Sequence, residues 1–355
     1  MFSNPSQELA LNVPMLQRLK RACGQFIALA ELGDDRARVW RDLEALEQFG
    51  FRIERHPYLG VTYQGPASRL CPDQIEHGLV TRRIGRRIAV WNRVGSTNDL
   101  ALKAAANPAN DGLVVLAEEQ LSGRGQRGRQ WTAPPRSSIL MSVLLFPPPR
   151  LVLPGSDAGG GCAWPTALAA VAVAELASSW TGAVSRIKWP NDVRVAGRKI
   201  AGILVERALP PPVAAFPGGD GRVRPRGVVI GIGLNVAVDL DVFPAELRGR
   251  VTSLAQINGR GDIDRSELAR ALIELLDNLY NRTIEEGFPF LSLLWQKRSE
   301  HLGKMVRVET ANGPVTGQLV GLDLNRGLAL RSETAGSAAG ESRWIPLEGV
   351  LSLEE

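Results

Sequence analysis

The nine residues Gly123-Arg124-Gly125-Gln126-Arg127-Gly128-Arg129-Gln130-Trp131 hold three glycines and three arginines between two apolar runs. Leu113 to Ala117 reads as a buried strand before them, and Ile139 to Phe146 as another after them. Pro134-Pro135 forbids a useful helix in between. The chain must therefore pass from strand to glycine-rich loop to strand. Glycine lets backbone come close to a ligand and take positive φ. Successive amides can then form a concave anion nest, and arginine adds planar, permanently charged donors for phosphate or carboxylate. Gly123, Gly125 and Gly128 also spell G-x-G-x-x-G, the dinucleotide pattern. That pattern must open a helix and be followed by an acid about 20 residues on. Neither condition is met, so a nicotinamide site is rejected. A solvated Arg/Gly loop would have the same composition, and other stretches must decide.

Lys188-Trp189-Pro190-Asn191-Asp192 follows a strand-like run, Ala183 to Ile187, and its Pro-Asn-Asp is turn chemistry. Lysine at a strand end is commonly just solvated; here it reads as a point charge aimed into a site. Arg198 to Glu206 and Gly231-Ile232-Gly233-Leu234-Asn235 come next, the latter ending an apolar strand. Gly231 and Gly233 either leave room for a ligand against the backbone or mark a bulge. Ser96-Thr97-Asn98-Asp99 opens a helix over Leu100 to Ala106. Its hydroxyls can cap that helix or bind a neutral polar ligand. Gln120 has the same two readings, and Trp131 is either core or a face for a base to stack on.

Together these motifs resemble the biotin–protein ligases, specifically the bifunctional type that also represses the biotin operon. The resemblance covers residues 88–355 well and 1–64 less well. It implies catalytic roles for Lys188 and Arg124. It implies biotin contacts from Ser96, Thr97, Asn98, Gln120, Gly123, Arg124, Lys188, Gly202, Gly231 and Gly233. It further implies ATP or adenylate contacts from Arg124, Gly125, Gln126, Arg127, Arg129, Trp131, Asn191 and Asn235. ATP and biotin are then substrates, with Mg²⁺ accompanying ATP. The acceptor is the biotin carboxyl carrier protein of acetyl-CoA carboxylase, and an adenylate-bound homodimer would bind operator DNA. The chemistry agrees with the residues. A carboxylate attacking phosphorus is already ionised at neutral pH, so a site of Arg, Lys and backbone N–H needs no catalytic His or Cys. Two departures stand out: Gln126 replaces an arginine that many members carry after the second glycine, and Glu354 lies where the bifunctional type tends to carry arginine. A biotin-sensing DNA-binding regulator without ligase activity and a lipoate–protein ligase are the competing readings.

The expected fold is α+β. Residues 1–64 form a winged helix-turn-helix, 65–87 a linker, 88–301 a catalytic domain with a central mixed sheet of the class II synthetase/biotin ligase type, and 302–355 a small SH3-like β-barrel. In the first of these, residues 15–32 carry helical apolar spacing ended by Gly33. A basic helix from Asp34-Asp35 to Gln48 and a hairpin around Pro57-Tyr58-Leu59-Gly60 follow. Arg36, Arg38 and Arg41 are its candidate DNA contacts, unless that face is merely solvated. Residues 147–164 and 210–226 read as surface excursions. At 355 residues two or three domains are expected. The net charge, 42 − 37 = +5, suits ATP, an acidic carrier or DNA equally. Cys23, Cys71 and Cys162 are odd in number and far apart, so neither a disulfide framework nor a zinc site is indicated. Without a signal peptide or membrane-length apolar run, a reduced, cytoplasmic protein is expected.

Overall fold

The computed structural model describes residues 10–151, 163–208, 227–259, 261–331 and 342–355. Of the excursions expected at 147–164 and 210–226, residues 152–162, Cys162 among them, and 210–226 lie outside these residues, while Leu151 and Trp164 at the edges of the first are buried in the main core.

The first module is built from α1 (Val13–Arg21), α2 (Leu29–Leu32), α3 (Arg36–Phe49) and the hairpin β1 (Arg52–His56) and β2 (Gly60–Gly65). The run over 15–32 is not one segment. Cys23 (φ 50°) and Gly24 (φ 83°) turn the chain in the left-handed region, and Ile27 then leaves helix to bridge Val61 in the hairpin. α3 begins where Asp35 accepts from the amides of Ala37 and Arg38, at 3.0 and 3.1 Å. It ends at Gly50 in the left-handed conformation. Val39, Leu43 and Leu46 repeat at helical spacing and meet Leu16 and Leu19 of α1 in a core of the module's own.

Residues 65–87 pack rather than merely connect. They carry α4 (Pro72–Glu76), and Leu70, Ile75 and Ile84 enter the main core. Asp277 accepts the amides of Arg82, Arg83 and Ile84, at 2.7, 2.8 and 2.7 Å.

The central body then follows as β3 (Arg87–Trp91), α5 (Thr97–Ala104), β4 (Leu113–Ala117), β5 (Ser138–Leu145), α6 (Ala163–Thr181), β6 (Ser185–Lys188), β7 (Asp192–Val195), β8 (Arg198–Ala208) and β9 (Gly227–Asn235). Its sheet runs β3-β4-β5-β9-β8-β7-β6; β3 and β4 are parallel and every other neighbouring pair is antiparallel. β4, β5 and β9 are buried along their whole length. α5 covers one face, and the apolar α6 with α9 (Arg265–Glu286) covers the other. That two-sided cover is why their sequences are continuous apolar runs rather than alternating ones. Between β9 and α9 lie the short α7 (Ala245–Arg248) and α8 (Leu254–Asn258).

α10 (Phe288–Arg298) leads into an antiparallel sheet of β10 (Met305–Thr310), β11 (Gly313–Asp323), β12 (Gly327–Arg331), β13 (Ser342–Ile345) and β14 (Val350–Glu354), ordered β13-β12-β11-β10-β14. Gly313 and Gly327 take φ of 101° and 102° at the β10–β11 and β11–β12 turns. β14 was not anticipated; it pairs with β10, Leu353 opposite Val308. The sheet's inner face, including Leu319, Leu328 and Leu353, is continuous with the main core.

Candidate active site

Two parallel segments bring the site together. The chain after β3 runs beside the chain after β4: the Leu121 amide donates to Val94 and the Ser122 amide to Gly95, each at 2.9 Å. This sets the start of α5 against Gln120. Gln120 Oε1 accepts both the Thr97 amide (2.8 Å) and the Thr97 hydroxyl (2.9 Å). Ser96 occupies the N-cap position of α5 but makes no capping bond with its side chain, so the capping reading fails for the hydroxyl. Asn98 donates to Glu206 at 2.5 Å, and the Ser142 hydroxyl lies 2.5 Å from Asn98 Oδ1.

The glycine loop is a closed structure. The Gly125 amide donates to the Arg129 carbonyl (2.7 Å) and the Trp131 amide to Gly123 (3.0 Å), with a 3-10 turn over Gln126–Gly128 at the tip. The Gly125 amide is therefore spent on the loop and is not available as the anion donor expected of it. Gly123 is packed under Trp131, whose carbonyl would lie 2.3 Å from an added Cβ, and it stands behind the cavity wall. Gly231 and Gly233 do leave room, but protein side chains take it. A Cβ on Gly231 would meet Asn98 Oδ1 at 2.4 Å, and one on Gly233 would meet the Trp131 ring at 2.3 Å. Gly202 lies under the same ring, at 3.0 Å.

One cavity joins these parts. It is lined by Ser96, Thr97, Asn98, Gln120, Gly202, Gly231 and Gly233 together with Arg124, Gly125, Gln126, Arg127, Arg129, Trp131, Lys188 and Asn191. Asn235 is not brought to it: buried at the end of β9, it donates to the Thr252 carbonyl at 3.1 Å. Arg36, Arg38 and Arg41 are exposed on α3, in the first module.

The cavity's charges are unequally held. Arg124 lies 2.7 Å from Asp99 Oδ1 and 3.1 Å from Glu206 Oε2, and its hydrogen bond to Asp99 raises its pKa above the ordinary arginine value. Lys188 ends β6 before the cis Trp189–Pro190 bond, and its side chain has no hydrogen bond or ion pair among the described residues. Arg127 donates to the Leu351 carbonyl of β14, tying the loop to the C-terminal sheet. Ser352, Leu353 and Glu354 of that strand reach the cavity wall.

The residue-by-residue reading missed two groups. Lys199 lines the cavity, 2.6 Å from Asp192 and 5.5 Å from the centre of the Trp131 ring. The β7–β8 hairpin carries both partners of that pair, so a signal existed in the Lys-Trp-Pro-Asn-Asp and Arg-Lys-Ile-Ala-Gly runs taken together. Glu206 is the other; an acid in an anion site had no signature. Among the described residues no group of three or more His, Cys, Asp or Glu could hold a metal ion, and no helix is long and apolar enough to cross a membrane.

Residues 90–213 match the model of the Biotin/lipoate A/B protein ligase family. The bifunctional ligase/repressor BirA of Bacillus spizizenii is 30% identical over 323 residues, 88% of this chain and 91% of that protein. The biotin–[acetyl-CoA-carboxylase] ligase of Mycobacterium tuberculosis is 34% identical over 256 residues, 69% of this chain and 85% of that protein. A biotin protein ligase from Aquifex aeolicus, solved in complex with biotin and ATP, shares the fold. Its TM-score is 0.58 at 23% identity, over 76% of this chain and 99% of that one. With a motif-bearing cavity on this fold and similarity along nearly the whole chain, the protein belongs to the biotin protein ligases.

Proposed function

We propose that the chain is an ATP-dependent biotin–protein ligase whose acceptor is the biotin carboxyl carrier protein of acetyl-CoA carboxylase. The observation that carries this is the polarity of the cavity. Neutral side chains of Thr97, Asn98 and Gln120, linked by hydrogen bonds, and the cations Arg124, Lys188 and Lys199 line one cavity. A urea ring fits the first and a carboxylate meeting a triphosphate fits the second. The biotin carboxylate attacks the α-phosphorus of Mg·ATP and pyrophosphate leaves. A lysine amine of the carrier then attacks biotinyl-5′-AMP, giving an amide and AMP. Charge neutralisation and positioning are the protein's contribution to the first step. Lys188, without a partner, is free to follow charge as it develops. Arg124 is oriented by its two carboxylates, and Trp131 offers one ring edge and face to the base while Gly202 and Gly233 back the other. Mg²⁺ arrives with ATP, held chiefly by phosphates and water.

The domain division at 1–64, 65–87, 88–301 and 302–355 is part of the same reading. The first module's separate core and its three helices plus hairpin support a winged helix-turn-helix. The five-stranded antiparallel sheet supports an SH3-like barrel. The relatives named as ligase/repressors favour a repressor role; operator binding by a dimer of the adenylate-bound protein, in the cytoplasm, is part of the same proposal. A lipoate ligase is disfavoured because a dithiolane ring would leave the neutral side chains unanswered.

Mass spectrometry of a carrier domain incubated with the protein, biotin and Mg·ATP tests the proposal. One added biotinoyl group on the carrier lysine is expected. An unmodified carrier, or preference for lipoate in competition, would overturn it.

A further inference from the structure

We propose that Glu206, a residue of β8 outside the cavity lining, is a positioning residue that sets both ends of the ligand through two other side chains. It orients Asn98 for the ureido ring and Arg124 for the carboxylate and phosphate. The proposal rests on the biotin ligase reading of that cavity.

Glu206 shares one face of β8 with Gly202 and Leu204. Those two reach the cavity wall, and Glu206 stands just past them. Its Oε2 accepts from Asn98 Nδ2 at 2.5 Å and from Arg124 Nη2 at 3.1 Å. Its Oε1 lies 3.2 Å from the same arginine nitrogen. One carboxylate thus holds two cavity side chains that come from different elements, the start of α5 and the glycine loop.

The two are held for different reasons. A carboxylate only accepts, so Asn98 must turn its NH₂ to Glu206 and its Oδ1 away. Nothing else decides this as firmly. The Ser142 hydroxyl, 2.5 Å from Oδ1, can donate or accept. The Leu204 carbonyl, a second acceptor for the NH₂, is 3.5 Å away, at the limit of a hydrogen bond. Without Glu206 the donor and acceptor of Asn98 can exchange places before the ureido ring. Arg124 touches Asp99 and Glu206 through Nη2 alone, at 2.7 and 3.1 Å. Its Nη1 and Nε have no hydrogen-bond partner among the described residues and are left for the ligand. Asp99 holds the guanidinium at one point; Glu206 adds a second, and two points fix a plane that one would let turn. Arg124 then meets charge that develops at phosphorus without having to reorient.

The test is biotin-dependent ATP–pyrophosphate exchange by the full chain and its variants. Glu206→Met keeps the length and removes both accepting oxygens. It should raise KM for biotin about tenfold and lower kcat about tenfold, each the scale of one hydrogen bond to a charged group. With Asn98→Ala already present, Glu206→Met should raise KM no further but still lower kcat. With Arg124→Ala present, it should lower kcat no further but still raise KM. Glu206→Gln retains one accepting oxygen and should fall between the parent and Glu206→Met; if Glu206→Met does not fold, the same crossed pattern is expected of Glu206→Gln at smaller size. Losses that simply add in both backgrounds overturn the proposal, because they mark a residue that only supports the fold. Constants within twofold of the parent overturn it too. So does a lower KM for ATP, which would make the carboxylate a competitor for Arg124 rather than its guide. If the parent chain itself shows no exchange with biotin, the ligase reading has failed and the inference falls with it; a competent parent with additive variants sinks the inference alone.

Discussion

Lys188 and Lys199 both face the cavity, but only Lys199 is neutralised, by Asp192 at 2.6 Å. The unpaired Lys188 is the one able to respond to charge appearing at the α-phosphorus. Lys188→Ala should therefore cut adenylate formation by about 3 kcal/mol of transition-state stabilisation, on the order of a hundredfold, with an unchanged thermal midpoint. Near-parental turnover would remove it from the chemistry. A second prediction concerns the loop tip. Gln126 is neutral where the family resemblance leads one to expect a cation, and a neutral hydrogen bond is roughly half as strong as a charge-assisted one. Arg127 and Arg129 both reach the cavity wall, but Arg127 is engaged with the Leu351 carbonyl, whereas Arg129 has no side-chain partner among the described residues. At least one of Arg127→Ala and Arg129→Ala should speed release of free adenylate, Arg129→Ala the more directly, while Gln126→Arg changes little. Parent-like retention in both alanine variants, with sharply slower release in Gln126→Arg, would mean the charge was never replaced. At this scale the sequence displayed glycines as sites of close approach. It could not say that Asn98 and Trp131 are what approach Gly231 and Gly233, because those contacts join residues more than a hundred positions apart.

Among elements, α3 and the C-terminal sheet carry separate predictions. Arg36, Arg38 and Arg41 are exposed, and Arg38 has only a loose 4.0 Å contact with Asp42, worth little in solvent. If α3 meets operator phosphates, binding should weaken steeply with salt, and Arg41→Ala should lower the salt slope by about one unit. A gel shift of biotin-operon DNA showing no complex with or without biotin and ATP would reduce the module to a docking domain. The C-terminal sheet is seated by His301. Its Nδ1 lies 2.9 Å from Glu355, and its buried Nε2 has no partner. Burial pushes the imidazole pKa below 6.5 despite the upward pull of Glu355 and Glu300. The unfolded chain therefore takes up a proton first as pH falls. Stability from this residue is complete above 6.5 and is lost on acidification towards the lowered native value. Urea midpoints measured from pH 7.5 to 5 should fall in the parent and flatten in His301→Gln; parallel curves would refute the assignment. The strands of the main sheet were legible as elements because burial on both faces writes itself as continuous apolar runs. The break at Cys23-Gly24 was not, since the apolar spacing continues across it. β14 offers only Leu351 and Leu353 in alternation, too short a pattern to distinguish from a tail.

In the whole molecule, the modules are joined by acid–base contacts rather than by a free linker, Arg52 of β1 pairing with Asp262 beside the following series. Lys20 of α1 reaches Asp264 at 2.7 Å, and also Glu267. Asp264 caps α9 and accepts from Gln74 at 2.8 Å. The next residue, Arg265, pairs with Glu118 at 2.6 Å with both side chains nearly buried, and donates to the carbonyls of Ser68 and Ser138. Glu118 also accepts the Leu70 amide, and it lies two residues before Gln120 in the cavity. Residues 65–87 look like a linker by composition; their packing depends on partners near position 265, beyond the reach of local pattern. A buried pair of this kind adds little net stability over an apolar replacement, but removing one member leaves an uncompensated charge, which costs about 3–5 kcal/mol. Arg265→Met should therefore lower the urea midpoint severely and raise KM for biotin through displacement of Gln120. Glu118→Gln added to Arg265→Met should recover much of the stability, because the stranded charge is gone while the Leu70 amide keeps an acceptor. If the double variant is as unstable as the single one, the carbonyl contacts of Arg265 rather than its charge pairing hold the body together, and the same unfolding series then assigns the junction to those hydrogen bonds.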